Sequence, residues 1–300
     1  MGIEYYSRRE HLEGLSPAHW RPFYHTPDAR WPSWDAEYSW MRLTYGAYRD
    51  GNALFADITN RICFEYKAAS FRLLDVARAY HRELIAKWKG KQFEGGGRRF
   101  KTINSMFVYL AIHAFLTELA TLRDYLAEFL GRFVLEPYVP SSVRVRKLTT
   151  LTKRVLPAAA HDHPWAAKLL ASTERMSADP WLADFGAYRD FVVHSAPVAQ
   201  LGSGWLREVL VPVRGRADGL PAVQFLLPEN PHVVLEARSN DPSTTIADDI
   251  ETGNDAYDYC HAALRRFAEL GLEVASRSPI KPAEAQIRPG TGDQMSIDWV

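Results

Sequence analysis

The sequence predicts a mainly α-helical bundle carrying a small antiparallel β insertion, and three observations point there. Residues 52–89 and 102–134 keep apolar side chains at threes and fours, the spacing of a buried helical stripe. Short β-type runs, "REVLVPV", "AVQFLL" and "HVVLEAR", are confined to 207–238 between Gly, Pro and Asn turns. A further helical stretch at 244–273, with Ile250, Tyr257, Leu264, Phe267 and Leu270 on its apolar side, closes the chain's folded part.

Taken in order, residues 1–50 are rich in Trp, Tyr and Pro. Trp20, Trp31, Trp34 and Trp40 are too apolar for a free tail, while the prolines oppose a long helix. The segment reads as an arm wrapped over the body or over a partner subunit, with a sugar- or cap-binding aromatic cluster as the lesser alternative. In the first long helix, Ile58, Ile62, Tyr66, Leu73, Ala77, Tyr80, Leu84 and Trp88 form the stripe, and Gly90 and Gly95–Gly97 end it. The basic, glycine-rich "KGKQFEGGGRRFK" lacks the strand and the Gly-Lys-Ser/Thr ending of a phosphate loop, so it reads as a solvated helix–helix connection. The second helix, 102–134, is more apolar and sits deeper. "EPYVPSS" breaks it, shorter helices near 143–155 and 164–176 follow, and "LPAAAHDHP" reads as the loop between them. The expected organisation is an arm at 1–50, a helical domain at 51–274 with its β insertion, and an extended tail at 275–300.

Hydrophobic residues make up 47% and charged residues 24%, which excludes general disorder. The 36 basic side chains balance 36 acidic ones, so no global field draws the chain to nucleic acid or membrane, and any anion site must be local. Of the bases, 27 are Arg and 9 Lys, a supply of planar donors suited to phosphate. Cys63 and Cys260 show no metal spacing and read as buried thiols of a reducing compartment. The start has no secretory apolar core, and no run is read as spanning a bilayer. A cytoplasmic protein without membrane, metal or cofactor is expected; "HDH" at 161–163 reads as a solvated turn.

Chemistry is concentrated in "DFGAYRDFVVHSAP", residues 184–197. Phe185, Tyr188, Phe191, Val192 and Val193 give a helix at about 180–195 a wide apolar surface. Asp190 and His194, four positions apart, share one face one turn apart, so the carboxylate can orient the imidazole. Arg189 points about 100° around the helix from Asp190. Pro197 stops the helix just beyond the histidine, so a phosphate at that end meets guanidinium and imidazole together.

Arg189-Asp190-Phe191-Val192-Val193-His194 resembles the R-x4-6-H motif of HEPN domains, in which a polar residue often follows the arginine. A second match, Arg154 to His161, is interrupted by Pro157 and is read as loop. The resemblance covers roughly 52–274 and implies an HEPN-like bundle of long antiparallel helices. It also implies a metal-independent endoribonuclease of the bacterial toxin–antitoxin or defence kind, acting on RNA, with an antitoxin or other neutralising protein as partner. "FLTELATLRDYLAEFL" is similar to an earlier core helix of that family, placing Glu118, Arg123 and Asp124, with Tyr188, as supporting or substrate-binding residues.

In that reading His194 moves the proton, Arg189 binds phosphate and Asp190 holds the ring. One credible histidine per chain implies a homodimer with a composite site. The other reading is a non-catalytic HEPN-like dimeric adaptor, nucleotide sensor or interaction module. In it Arg189 pairs within the bundle and Asp190–His194 is a local pair favoured by the helix dipole.

Overall fold

The computed structural model describes residues 32–89, 96–99, 103–194, 205–213, 216–240, 253–289 and 295–299, and the fold is mainly helical. In chain order the helices are α1 (Trp34–Arg49), α2 (Ala53–Lys89), α3 (Ile103–Phe129), α4 (Leu148–Arg154), α5 (Leu156–Asp162), α6 (Pro164–Ser172), α7 (Trp181–His194), α8 (Pro231–Asn240) and α9 (Ala256–Ala275). The strands are β1 (Gly96–Arg99), β2 (Trp205–Val213), β3 (Arg216–Leu227), β4 (Asn254–Asp255), β5 (Ala285–Pro289) and β6 (Met295–Trp299).

Two compact units result. One holds Ala69–Glu118 and Leu182–Leu264; the other holds Pro32–Ala68, Leu119–Trp181 and Arg265–Val300. Helices α2, α3 and α9 therefore each contribute residues to both, as does α7 through Trp181.

The unit containing α1 is built on aromatic packing. Trp40, Phe55 and Phe129 are fully buried, with Trp40 edge-on to Phe129 at 4.8 Å and Phe55 at 5.3 Å from it. The turn from α1 into α2 explains itself from "RDGN". Gly51 takes φ 67°, the left-handed conformation glycine adopts freely. The N–H groups of Gly51 and Asn52 return to the carbonyls of Tyr48 and Ala47, closing α1. Asn52 then accepts the Phe55 N–H at 3.1 Å and opens α2. Helix α3 ends in a π-helical turn, Leu130–Val134, with the Leu135 N–H reaching Leu130 at 2.7 Å.

The other unit sets helices with a four-stranded antiparallel sheet in the order β1-β2-β3-β4. Gly96 pairs with Glu208, Trp205 with Leu226 and Leu227 with Asn254. Its core includes Leu73, Tyr80, Leu84, Ile112, Phe115, Phe185, Phe225 and Leu264. Asp255 ties sheet to helices from within. One carboxylate oxygen caps α9, accepting the Tyr257 and Asp258 N–H groups at 2.9 and 3.1 Å. The other accepts the Phe225 N–H at 3.2 Å and the Tyr80 hydroxyl at 3.4 Å.

Burial pushes the Asp255 carboxyl up to about 7, against the three backbone N–H donors that favour its charge. An unfolded Asp titrates near pH 3.9, so between there and about 7 the folded chain binds the extra proton. Stability therefore rises as pH falls through that window, by up to about 1.4 kcal/mol per unit from this group. Urea unfolding at pH 5 and pH 8 should show wild type losing more stability on going to pH 8 than Asp255→Asn; equal losses refute the assignment.

Several expectations are corrected. The Trp- and Pro-rich arm is regular helix from Trp34 onward, because its last proline is Pro32 and Trp40, Leu43 and Ala47 then face a core; its first part lies outside the described residues. "LPAAAHDHP" is helix α5, not loop: Pro157 falls in the first turn, where its missing N–H costs nothing, and alanines follow. Gly96–Arg99 is an edge strand rather than a connection, paired along its length with β2. "HVVLEAR" is helical despite its valines, since Asn230 accepts the His232 and Val233 N–H groups ahead of it and Pro231 suits the first helical position. The sheet thus ends at Leu227 in that hairpin, and the tail pairs Ala285–Pro289 with Met295–Trp299. The start of the helix expected at 244–273 lies outside the described residues up to 252.

Cys63 and Cys260 are both buried free thiols. Among the described residues one helix, Ile103–Val134, is long and apolar enough to cross a membrane. Its Phe115, Leu116, Leu119, Leu122 and Phe129 are buried in protein.

Candidate functional site on helix α7

Helix α7 owes its position to its apolar side. Leu182, Phe185, Tyr188 and Val192 recur at threes and fours, and all are buried. Two phenols then fix its second half. The Tyr109 hydroxyl donates to the Val192 carbonyl, and the Tyr188 hydroxyl donates to the Pro228 carbonyl at 2.7 Å. Asn254 donates to Tyr188 at 3.3 Å, and the Tyr259 ring lies 4.3 Å from that of Tyr188. Burial pushes the Tyr188 phenol up, so it stays a protonated donor. Tyr188 therefore supports the helix from inside.

Arg189 and Asp190 are both partly exposed. The Arg189 guanidinium donates to Asp190 at 2.8 Å, with the two side chains 30% and 53% exposed. Solvent reaches both, so a phosphate can exchange for or share the Asp190 contact. His194 is the last helical residue, one turn beyond Asp190, which places it where the helix dipole favours a cation. Its side chain, and Pro197, lie outside the described residues.

The supporting residues take other partners. Glu118 pairs with Arg72 at 3.3 Å in the same unit as the motif. Arg123 and Asp124 belong to the other unit and pair with each other at 3.3 Å. Asp124 also accepts the Leu148 N–H at 3.1 Å, holding the start of α4.

Sequence reasoning missed an acid–imidazole pair between α7 and α8. His232 Nε2 lies 3.0 Å from Asp184, one and a half turns before Arg189, with the histidine only 18% exposed. The helix start at Asn230-Pro231 is the one sequence signal for His232's place; its partner lies 48 residues away and leaves none. The discarded match falls across a helix break, with Arg154 ending α4 and His161 in α5. Asp162 and His163 of "HDH" are both engaged by the Tyr138 hydroxyl, at 2.7 and 3.2 Å. Among the described residues no group of three or more His, Cys, Asp or Glu side chains is placed to hold a metal ion. No family model matches the chain, and no curated protein or solved structure matches it.

Proposed function

We propose that the chain is a metal-independent endoribonuclease of the HEPN kind, a toxin or defence effector that cleaves RNA at a composite site formed by two copies of α7. The observation carrying this reading is a solvent-reached Arg189–Asp190 pair on a helix whose final residue is His194. The ribose 2′-hydroxyl attacks the adjacent phosphorus, and the bond to the leaving 5′-oxygen breaks. One His194 takes the hydroxyl proton, the partner copy's imidazole protonates the 5′-oxygen, and Arg189 bears the phosphorane charge. The homodimer, an antitoxin-type neutralising partner and RNA as substrate all belong to this proposal.

The products identify the mechanism. Labelled single-stranded RNA should yield 2′,3′-cyclic phosphate and 5′-hydroxyl ends, undiminished by EDTA. A substrate with one 2′-deoxyribose should resist cleavage at that position alone. Cleavage of the deoxy position, or loss of activity with EDTA, rules the mechanism out.

A non-catalytic dimeric adaptor or nucleotide sensor is the second reading. It is favoured by a zero net charge, since an RNase gains from a basic surface, and by an Arg189 already engaged with Asp190.

A further inference from the structure

The unit without the motif contains a cleft of about 300 Å³, at the small end of ligand pockets. Helix α6 and the C-terminal part of α9 wall it, with the turn before α7 between them. Trp165, Trp181, Leu169 and Val274 give it an apolar lining. Each indole is already covered by a guanidinium, Arg277 at 4.6 Å over Trp165 and Arg266 at 5.8 Å over Trp181. Both guanidiniums are neutralised in turn, Arg266 by Asp179 at 2.6 Å and Arg277 by Glu273 at 3.1 Å.

Two lining charges remain, Lys168 on the α6 wall and Glu269 on the α9 wall, and neither forms an ion pair among the described residues. One buried polar atom remains as well. The Ser177 hydroxyl lines the cleft without a hydrogen-bond partner among the described residues, a state that native proteins rarely leave unanswered. An apolar cleft with one cation, one anion on the facing wall and one free hydroxyl calls for a ligand with the mirror pattern.

We propose that this cleft binds a small zwitterion with an aromatic group, of the α-amino-acid class. Its carboxylate faces Lys168, its ammonium faces Glu269, and its ring lies among the indoles and aliphatic side chains. The site is independent of the ribonuclease reading and stands if that reading fails.

Isothermal titration of the full chain with L-phenylalanine, phenethylamine and 3-phenylpropanoate tests the pattern. L-phenylalanine should bind at least about tenfold more tightly than either single-charge analogue. Lys168→Met should erase its advantage over phenethylamine, and Glu269→Gln its advantage over 3-phenylpropanoate. Both residues are exposed, so neither change threatens the fold. Ser177→Ala should weaken L-phenylalanine binding by about tenfold. Equal affinity for all three probes, no binding of L-phenylalanine, or a ranking unmoved by the two charge variants overturns the proposal.

Discussion

On the ribonuclease proposal, His194→Ala should lower RNA cleavage by about 10²–10⁴-fold, the range a positioned proton-transfer group supplies, and should leave the melting temperature almost unchanged. The two halves of that expectation have separate causes. Cleavage needs a group that both takes and gives a proton near neutral pH, and imidazole is the side chain whose ordinary pKa suits it. The stability half rests on position: His194 ends α7, and a cation in the last turn of a helix contributes about 0.3–1 kcal/mol through the dipole. The buried anchors of α7, Phe185, Tyr188 and Val192, are untouched by the change.

Arg189→Ala should cost about 10²–10³-fold through lost stabilisation of the phosphorane. Arg189→Lys should recover only part, because a point charge replaces a planar bidentate donor. The assay is initial-rate cleavage of a fluorescent RNA, with oligomeric mass by light scattering on the same samples. Wild-type rates from His194→Ala sink the catalytic reading. Inactive wild-type protein whose mass changes on His194→Ala establishes the adaptor reading instead.

What the sequence revealed, and what it hid, divides along the range of the interactions. The stripe from Ile58 to Leu84 and the Asp190–His194 spacing are local, set by the helical repeat, and α2 and α7 lie where that repeat puts them. The start of α2 was equally local, written in Gly51 and Asn52. Gly96–Arg99 is different: nothing in "GGRR" favours a strand, and β2, more than a hundred residues later, supplies its ladder. At 231–240 a local rule misled. Val233 and Val234 suggest β structure, but the Asn230 cap and Pro231 decide the outcome before they are reached. The candidate site divides likewise. Arg189–Asp190 is a neighbour contact, whereas Asp184–His232 and Tyr188–Pro228 arise only once α7 packs against the segment after β3. The motif was legible in the sequence, and the contacts that surround it were not.

Gly271→Ala destabilises the fold by about 3–5 kcal/mol, combining overpacking with a broken buried hydrogen bond. The sign is opposite to the usual one, since Ala in place of Gly in a helix interior ordinarily stabilises by about 0.5–1 kcal/mol. Gly271 lies inside α9 at helical dihedrals, so backbone conformation does not require glycine there. Tyr66 does. A Cβ at 271 would overlap the Tyr66 hydroxyl oxygen outright and lie 2.7 Å from Cζ. Tyr66 cannot retreat: it is 0% exposed, and its hydroxyl donates to the Phe267 carbonyl at 2.6 Å. Removing that hydroxyl by Tyr66→Phe costs about 1 kcal/mol alone. It should also rescue part of Gly271→Ala, because the worst overlap is with the oxygen. Rescue is incomplete, since the ring carbon remains too close. Gly186, inside α7, provides the contrast: nothing lies within 4 Å of an added Cβ there, so Gly186→Ala should stabilise. Urea unfolding of the four variants and wild type measures the coupling directly. Additive effects of Tyr66→Phe and Gly271→Ala would show that the two side chains do not share this space, and that α9 packs on α2 in some other way.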